Sequence, residues 1–466
     1  MAETPDAVAI LVPDGDQLTY RELSHEVDRV LGWFRANGIG PGKTVATWLD
    51  NSVAYAALIL ATAGSGAVHV PISRTATSGH IAWLLERTRP ALVIGPEPLP
   101  VGDVPVVSPA AVAEGDPRIG SEPGIEHAGL FRLLETSGST GKPRLVAWTQ
   151  EDLLQDRLQW IDYTATTAAD TVFNRHTLDV AHGCDVHLFP ALLSGARLVL
   201  ADPGAPPATL LRWLEQTRAT VHSGLPRHYE QLVEAAGGGT AGLPSLRLPL
   251  CGGAYLSERV VDDAAKILGV HIRRIYGSTE FGIVLGNMED ALQTERGMSP
   301  VTGVEVDLVP IDPALPGIGE IVARSPHTST GYAGDEAATA AAFDGGWYRT
   351  GDVASHRGEY RILGRVADLL RGARGPVFAP QLEASLVATC QVTEAVVLAP
   401  LAGDDRTGAV VVASASAGAA EAEVVAEIQR VLDEAGVEAG IRLTADIPHT
   451  AVGKPDKPAI RAGLTE

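Results

Sequence analysis

A chain of 466 residues with a formal net charge of −21 is too long for one compact core, so two or three domains are expected. Its 45% apolar and 20% charged residues exclude a disordered polymer, and the acidic balance argues against nucleic acid or anionic lipid as a partner. No run reaches the roughly 20 apolar residues of a membrane helix, the start M-A-E-T-P-D is not that of a secretory signal, and Cys184, Cys251 and Cys390 are too scattered for a disulfide framework or zinc site. A cytoplasmic protein without a membrane partner is expected.

The first 120 residues alternate helical and strand-like patterns. Leu23 to Ala36 carries Val27, Val30, Leu31 and Phe34 on one helical face, and Gly38-Ile-Gly-Pro-Gly42 stops it. Thr44-Val-Ala-Thr-Trp-Leu49 reads as a strand, Tyr55 to Ala63 as a buried helix and Ala91-Leu-Val-Ile-Gly95 as another strand. Such alternation predicts helices packed on mostly parallel sheets. The Pro-, Gly- and Ala-rich run from Pro98 to Pro123 reads as a surface connection.

A strand at Leu130-Phe-Arg-Leu-Leu134 then leads into E-T-S-G-S-T-G-K-P-R-L-V, Glu135 to Val146. Thr136, Ser137, Gly138, Ser139, Thr140, Gly141 and Lys142 combine glycines that let backbone N–H groups approach an anion, hydroxyl donors and one positive charge. That is what a polyphosphate needs, although a flexible polar loop has the same composition. It is not the Walker loop: its glycines are three apart, and Pro143 follows the lysine where a hydroxyl would meet magnesium. Thr149 caps a helix expected from Glu151, with Asp152 in its first turn.

Farther along, Ala196 to Ala201 and Leu248 to Gly253 read as buried strands, and Arg227 to Ala235 and Glu258 to Leu268 as helices. The Gly252-Gly253 end suits close approach to a planar ligand. From about Gly364 the pattern restarts on a smaller scale. Helices are expected at Gln381 to Thr389 and Ala420 to Ala435, and strands at Glu394 to Ala399, Ala409 to Ser414 and Ile441 to Leu443. The expectation is an α/β fold: a large domain over residues 1–363 with layered subdomains and mostly parallel sheets, and a small mobile α+β domain over 364–466.

The phosphate loop, Ile275-Tyr-Gly-Ser-Thr-Glu280, Trp347-Tyr-Arg-Thr-Gly-Asp352, Leu363-Gly-Arg-Val-Ala-Asp368 and Gly453-Lys454 follow one another in this order. Together they resemble the adenylate-forming superfamily of acyl- and aryl-CoA ligases, nonribosomal peptide synthetase adenylation domains and luciferases. Leu18-Thr-Tyr-Arg-Glu-Leu23, Gly66-Ala-Val-His-Val-Pro71 and Ala191-Leu-Leu-Ser-Gly-Ala196 extend the likeness over nearly the whole chain.

The resemblance implies that a carboxylic acid attacks the α-phosphate of ATP, giving an acyl-adenylate and pyrophosphate, before transfer to a thiol. Positioning two anions and neutralising charge on the phosphate are the enzyme's tasks. By resemblance, Thr136 to Lys142 hold the β- and γ-phosphates, and Tyr276 and Gly277 lie at the adenine with Gly252, Gly253 and Ala254 on its other side. Thr279 meets the α-phosphate, and Glu280 is the oxygen ligand of Mg²⁺. Asp352 accepts from the ribose hydroxyls, and Arg365 also reaches the ribose. Lys454 bridges the acid's carboxylate and the α-phosphate. The small domain pivots two residues after the arginine, at Ala367, where the family usually has Asp or Lys.

Departures cluster after the loop, where Arg144-Leu145 replaces a Lys-Gly pair and Gln150 stands where a histidine is common, and at Gly372-Ala-Arg-Gly-Pro-Val-Phe378, on the thiol's side. The acid pocket is assigned to His182, Gly183, Gly277 and Gly282. His182 falls where amino-acid-activating domains carry an Asp for the α-ammonium, so an aryl, hydroxy, keto or β-amino acid is favoured. His182, Asp185 and His187 lack the further partner a metal site would need. No carrier attachment motif or G-x-S-x-G elbow follows, so a stand-alone enzyme is expected, with CoA or a phosphopantetheinyl carrier protein as acceptor in trans. Transfer to an amine is the nearest rival, a phosphate-loop kinase a remoter one, and a homologue that binds nucleotide without chemistry a third.

Overall fold

In the computed structural model the first helix, Tyr20–Ala36, starts where Thr19 and Glu22 form a reciprocal capping box. The structure describes all residues except 1–3, 97–98, 100–101, 121–128, 137–142, 238–241, 289–296, 314, 401–408, 450–454 and 465–466. Two compact units are present: Met1–Glu295 with Pro300–Val304 and Ser325–Gly346, and Arg296–Ser299 with Glu305–Arg324 and Trp347–Glu466.

The first unit is built on two mostly parallel sheets. One runs Val106–Val107, Leu92–Ile94, Thr44–Thr47, Val68–Pro71, Leu130–Thr136 and Arg144–Thr149, parallel until its last, antiparallel pair. The other has at its centre the parallel strands Leu248–Cys251, Val221–Gly224, Thr171–Asn174, Arg197–Leu200 and Val8–Leu11. Arg273–Ser278 continues it in parallel, and Gly282–Gly286 turns back antiparallel. These central strands are buried along their length, as expected of a sheet covered on both faces. Phe173, Val199, Leu210, Leu214, Tyr229, Leu232, Val260 and Leu268 form one core where the helices pack on this sheet.

The run expected as a surface connection contains ordered elements in its described part, residues 102–120, where Val112 and Gly120 are the buried positions. Val106–Val107 extends the first sheet, and the short turns Pro109–Val112 and Pro117–Gly120 follow. A Cβ on Gly120 would overlap the Asp28 carbonyl in the first helix. The glycine there permits backbone-to-backbone packing, which composition alone reads as looseness.

The second unit holds the antiparallel strands Glu305–Pro310, Ile318–Arg324, Trp347–His356 and Tyr360–Arg365. A hairpin of Leu369–Gly372 and Gly375–Phe378 follows. The expected α+β element comes next. Val392–Leu398 pairs antiparallel with Ala409–Ala415, which pairs parallel with Ala439–Thr444. The helices Ala379–Thr389 and Glu421–Ala435 pack on them through Leu382, Leu386, Val424, Ile428 and Leu432.

Candidate active site

Thr136 ends its strand directly opposite Arg144 on the next, so the phosphate-loop candidate joins two antiparallel strands. A Walker loop opens a helix instead, and the topology therefore separates this loop from that class. Ser137, Gly138, Ser139, Thr140, Gly141 and Lys142 themselves lie outside the described residues.

The strand leaving the loop, Arg144–Thr149, anchors the second motif. Trp148 donates from its indole nitrogen to the Thr279 carbonyl at 2.8 Å. Residues 330–333 run alongside this strand, with Thr330 N to Ala147 O at 2.8 Å, Ala147 N to Gly331 O at 2.9 Å and Ala333 N to Leu145 O at 2.8 Å. Tyr332 is thereby set so that its hydroxyl donates to Glu280 Oε1 at 2.9 Å. Burial and the neighbouring Glu280 charge push the Tyr332 phenol up to about 12, so it stays a donor. The Arg144 guanidinium lies 5.0 Å from the centre of the Tyr332 ring. Thr279 and Glu280 occupy the turn between Arg273–Ser278 and Gly282–Gly286, and Tyr276 and Gly277 end the first of these strands. Gly252, Gly253 and Ala254 follow the neighbouring parallel strand, whose Cys251 is paired with Arg274. Both segments thus sit at the carboxyl edge of a parallel sheet, where ligands of such folds bind.

Behind this edge is a buried ion network. Arg132, on the strand feeding the phosphate loop, is fully buried and pairs with Asp185 at 2.8 Å. Arg157 donates to the Asp185 carbonyl at 2.8 Å and pairs with Asp156. Gly282, one of the acid-pocket candidates, has φ +91°, and a Cβ there would lie 2.7 Å from the Asp156 carboxylate. Glycine is the residue that fits.

Asp185 belongs to a π-helical turn, Cys184–Leu188, that follows the short helix Ala181–Gly183. This wider turn is a frequent mark of functional sites. Its His187 belongs to a group of imidazoles gathered from several elements. His182 stacks on His176 with ring centres 4.0 Å apart, His228 lies 5.0 Å from His176, and His187 lies 6.2 Å from His222. His182 Nε2 is 2.7 Å from Ser223 Oγ, whereas Gly183 is buried with its α-carbon against the Thr177 carbonyl.

Backbone groups fix the protonation of four of these rings. His187 donates from Nδ1 to the His182 carbonyl at 2.8 Å and accepts from Ser223 N–H at Nε2, 3.2 Å away. His222 donates from Nδ1 to the Phe173 carbonyl at 3.0 Å. His176 donates from Nε2 to the Ser223 carbonyl at 3.0 Å, and His228 accepts the Leu225 N–H at Nδ1. Burial lowers the pKa of His187 to about 4 and of His222 to about 3, and lowers those of His176 and His228 as well. These four rings are polar and uncharged at neutral pH. Among the described residues no group of His, Cys, Asp and Glu is arranged to hold a metal ion.

In the second unit Asp352 and Arg365 stand directly opposite each other across antiparallel strands and form an ion pair at 3.2 Å. Ala367 is exposed in the short turn Val366–Asp368 that follows. Lys454 lies outside the described residues, but three residues on, Lys457 pairs with Asp368 at 2.8 Å. The altered segment 372–378 forms one arm and the tip of the hairpin, and Ala373 N donates to the Gly436 carbonyl at 2.7 Å.

The profile of AMP-binding enzymes matches residues 1–333. The chain belongs to the AMP-binding enzyme family. A feruloyl-CoA synthase from an Amycolatopsis species is 29% identical over 98% of this chain and 96% of its own. A linear gramicidin synthase of Brevibacillus parabrevis is 27% identical over 99% of this chain, which spans 6% of that protein. Among solved structures, ATP-bound MatB from Rhodopseudomonas palustris has a TM-score of 0.86 at 24% identity, covering 100% of this chain and 97% of its own. The o-succinylbenzoate CoA synthetase of Bacillus subtilis with ATP and magnesium has 0.87 at 19%, covering 99% and 98%. The family match and the CoA ligases among the relatives of this AMP-binding enzyme support an AMP-forming ligase of the acid–thiol type.

Sequence reasoning did not single out Trp148, Tyr332, His176, His222, Ser223 or His228 of this AMP-binding enzyme. The first two meet Thr279 and Glu280 from positions 131 and 52 residues away. His176 follows the strand Thr171–Asn174, His222 lies in the strand Val221–Gly224 and His228 in the helix Pro226–Ala235. A usable signal was the density of His from 176 to 187, taken together with Val221-His-Ser-Gly224 at a strand's carboxyl end.

Proposed function

We propose that the enzyme uses ATP and Mg²⁺ to activate an aryl, hydroxy, keto or β-amino acid and delivers it in the cytoplasm to CoA or a carrier-protein phosphopantetheine. The observation that carries the reading is the bracing of Thr279 and Glu280 by Trp148 and Tyr332, side chains tied to the strand that leaves the phosphate loop. One strand and its neighbour thus couple the pyrophosphate grip to the residues that meet the α-phosphate.

Each role follows from what its group can do. Thr136 and the loop through Lys142 hold the departing pyrophosphate, and Thr279 donates a hydrogen bond to the α-phosphate. Glu280 suits Mg²⁺: it is a hard oxygen donor, and the Tyr332 bond engages one carboxylate oxygen and leaves the second for the cation. When bound, Mg²⁺ would supply charge neutralisation between the phosphates. Tyr276 packs on adenine beside Gly252, Gly253 and Ala254. Asp352 accepts the ribose hydroxyls and Arg365 holds that carboxylate in place. Residues 364–466 are the mobile part, pivoting at Ala367, and Lys454 brings positive charge to the acid's carboxylate and the α-phosphate. The uncharged imidazole wall around His182 favours an acid without an α-ammonium group. Three free, buried cysteines support a reducing compartment.

Acid-dependent exchange of pyrophosphate into ATP tests the proposal with a panel of carboxylic acids. Lys454→Ala is expected to lose exchange by at least about 100-fold while ATP still binds. Undiminished exchange in that variant removes Lys454 from the chemistry, and release of ADP in place of AMP and pyrophosphate overturns the reading. Products formed with CoA, carrier protein and amines then identify the acceptor.

A further inference from the structure

Beside the imidazole cluster is a buried cation with no anionic partner among the described residues. Arg175 follows the strand Thr171–Asn174 and is 8% exposed. Its Nη2 donates to Gln231 Oε1 at 3.2 Å, while Nε and Nη1 are buried and have no hydrogen-bond partner among the described residues. Arg132 and Arg157, buried in the same unit, also keep an Nε without a partner, but each has a carboxylate beside it. Arg132 has Asp185 at 2.8 Å, and Arg157 has Asp156. Among the described residues the Gln231 amide oxygen is the hydrogen-bond partner Arg175 has. A desolvated guanidinium with open donors is costly to maintain, and such a group in a folded protein calls for an explanation.

Its surroundings connect it to the acid pocket. Gln231, which Arg175 bonds, lies three residues from His228 on the helix Pro226–Ala235, and the Arg175 charge acts on both His228 and His222. His228 lies 5.0 Å from His176, which stacks on His182. His176, His182 and His228 are half-buried, whereas His222 and His187 are fully covered. The chain of groups therefore runs from the partly open rings inward to the guanidinium. Burial keeps His176, His222 and His228 neutral, so none of these rings competes as a fixed cation, and none supplies the missing anion.

We propose that Arg175 is a specificity-determining residue of the acid pocket, and that its missing partner is a second carboxylate on the substrate. The preferred acids are then dicarboxylic: one carboxylate is adenylated and the other pairs with the open donors of Arg175. This rests on the adenylating reading above and narrows it. A β-ammonium group would face a like charge and is disfavoured, whereas an aryl or keto acid fits when it bears a distal carboxylate.

The test uses the full chain in acid-dependent pyrophosphate release, with succinate, glutarate and homophthalate each set against its distal monoamide. The diacids are expected to exceed the monoamides by about 100-fold or more in kcat/KM, the scale on which a site built for a polar partner rejects the analogue lacking it. Arg175→Gln is expected to collapse that ratio, and Arg175→Lys to keep part of it, since it retains the charge and loses the planar donors. Thermal melting with ATP reports that the variants are folded. If Arg175→Gln does not fold, the wild-type ratio and Arg175→Lys decide. A wild-type preference for monoamides, turnover confined to acids with no distal anion, or an unchanged ratio in a folded variant overturns the proposal and leaves adenylation standing. Failure of every acid to release pyrophosphate overturns both.

Discussion

Replacing His222 with Phe should flatten the pH dependence of stability in the first unit by a predictable amount. His222 is fully buried, its Nδ1 donates to the Phe173 carbonyl, and Nε2 has no partner among the described residues. Burial holds its folded pKa at about 3. The unfolded ring titrates near 6.5, so between those values the unfolded chain binds a proton that the folded chain does not. Stability therefore rises with pH in this window and is lost as pH falls. From pH 7.5 to 5 the loss from this one ring is about 2 kcal/mol. Phe fills the ring's place, giving up the Phe173 bond at every pH, so the variant is offset but lacks that slope. Urea unfolding followed by tryptophan fluorescence is the assay, since Trp33, Trp48, Trp83, Trp148, Trp160 and Trp213 lie in the first unit and Trp347 alone in the second. Comparing the two proteins cancels shared contributions, including that of Asp179, whose raised pKa acts with the opposite sign. Equal losses for wild type and variant between pH 7.5 and 5 would refute the assignment of a neutral buried imidazole.

Glu383, in the second unit, should behave in the opposite sense: burial raises its pKa to about 7, so its contribution is fully present below the unfolded carboxyl value and is lost as pH rises through 7. Glu383→Gln should remove up to about 3 kcal/mol of that dependence, read from the unfolding of the second unit by Trp347 in a background where the other tryptophans are replaced. Tyr332→Phe leaves Glu280 without its hydroxyl partner and is expected to weaken Mn²⁺ binding to the ATP complex about tenfold, measured by electron paramagnetic resonance; unchanged affinity would separate Tyr332 from the metal ligand. Arg132→Met strands Asp185 in the interior and should cost about 3–5 kcal/mol in urea unfolding. The double variant Arg132→Met, Asp185→Leu should recover part of that loss, because no uncompensated charge remains.

What was legible in the sequence follows from how each group binds. Thr136 to Lys142 and Tyr276 to Glu280 could be picked out because phosphates are gripped by backbone N–H groups and short side chains on one turn, so the chemistry is written in consecutive residues. The alternation of Leu23–Ala36, Thr44–Leu49 and Tyr55–Ala63 was legible for a similar reason, since a local period sets each element. The run 98–123 was not, because the same glycines serve a loose turn or a tight contact, and the Asp28 carbonyl against Gly120 is distant in the chain. The acid pocket stands at the same disadvantage. His182 could be located by counting back from Leu192, but its electrostatic meaning depends on Ser223, His176, His228 and Arg175, which reach it from other strands and helices. An acid is selected by side chains alone, and they converge from whichever elements happen to border the cleft. A change at Arg175 or Gln231 can therefore alter which acid is taken without touching the Trp148 and Tyr332 bracing that serves the nucleotide.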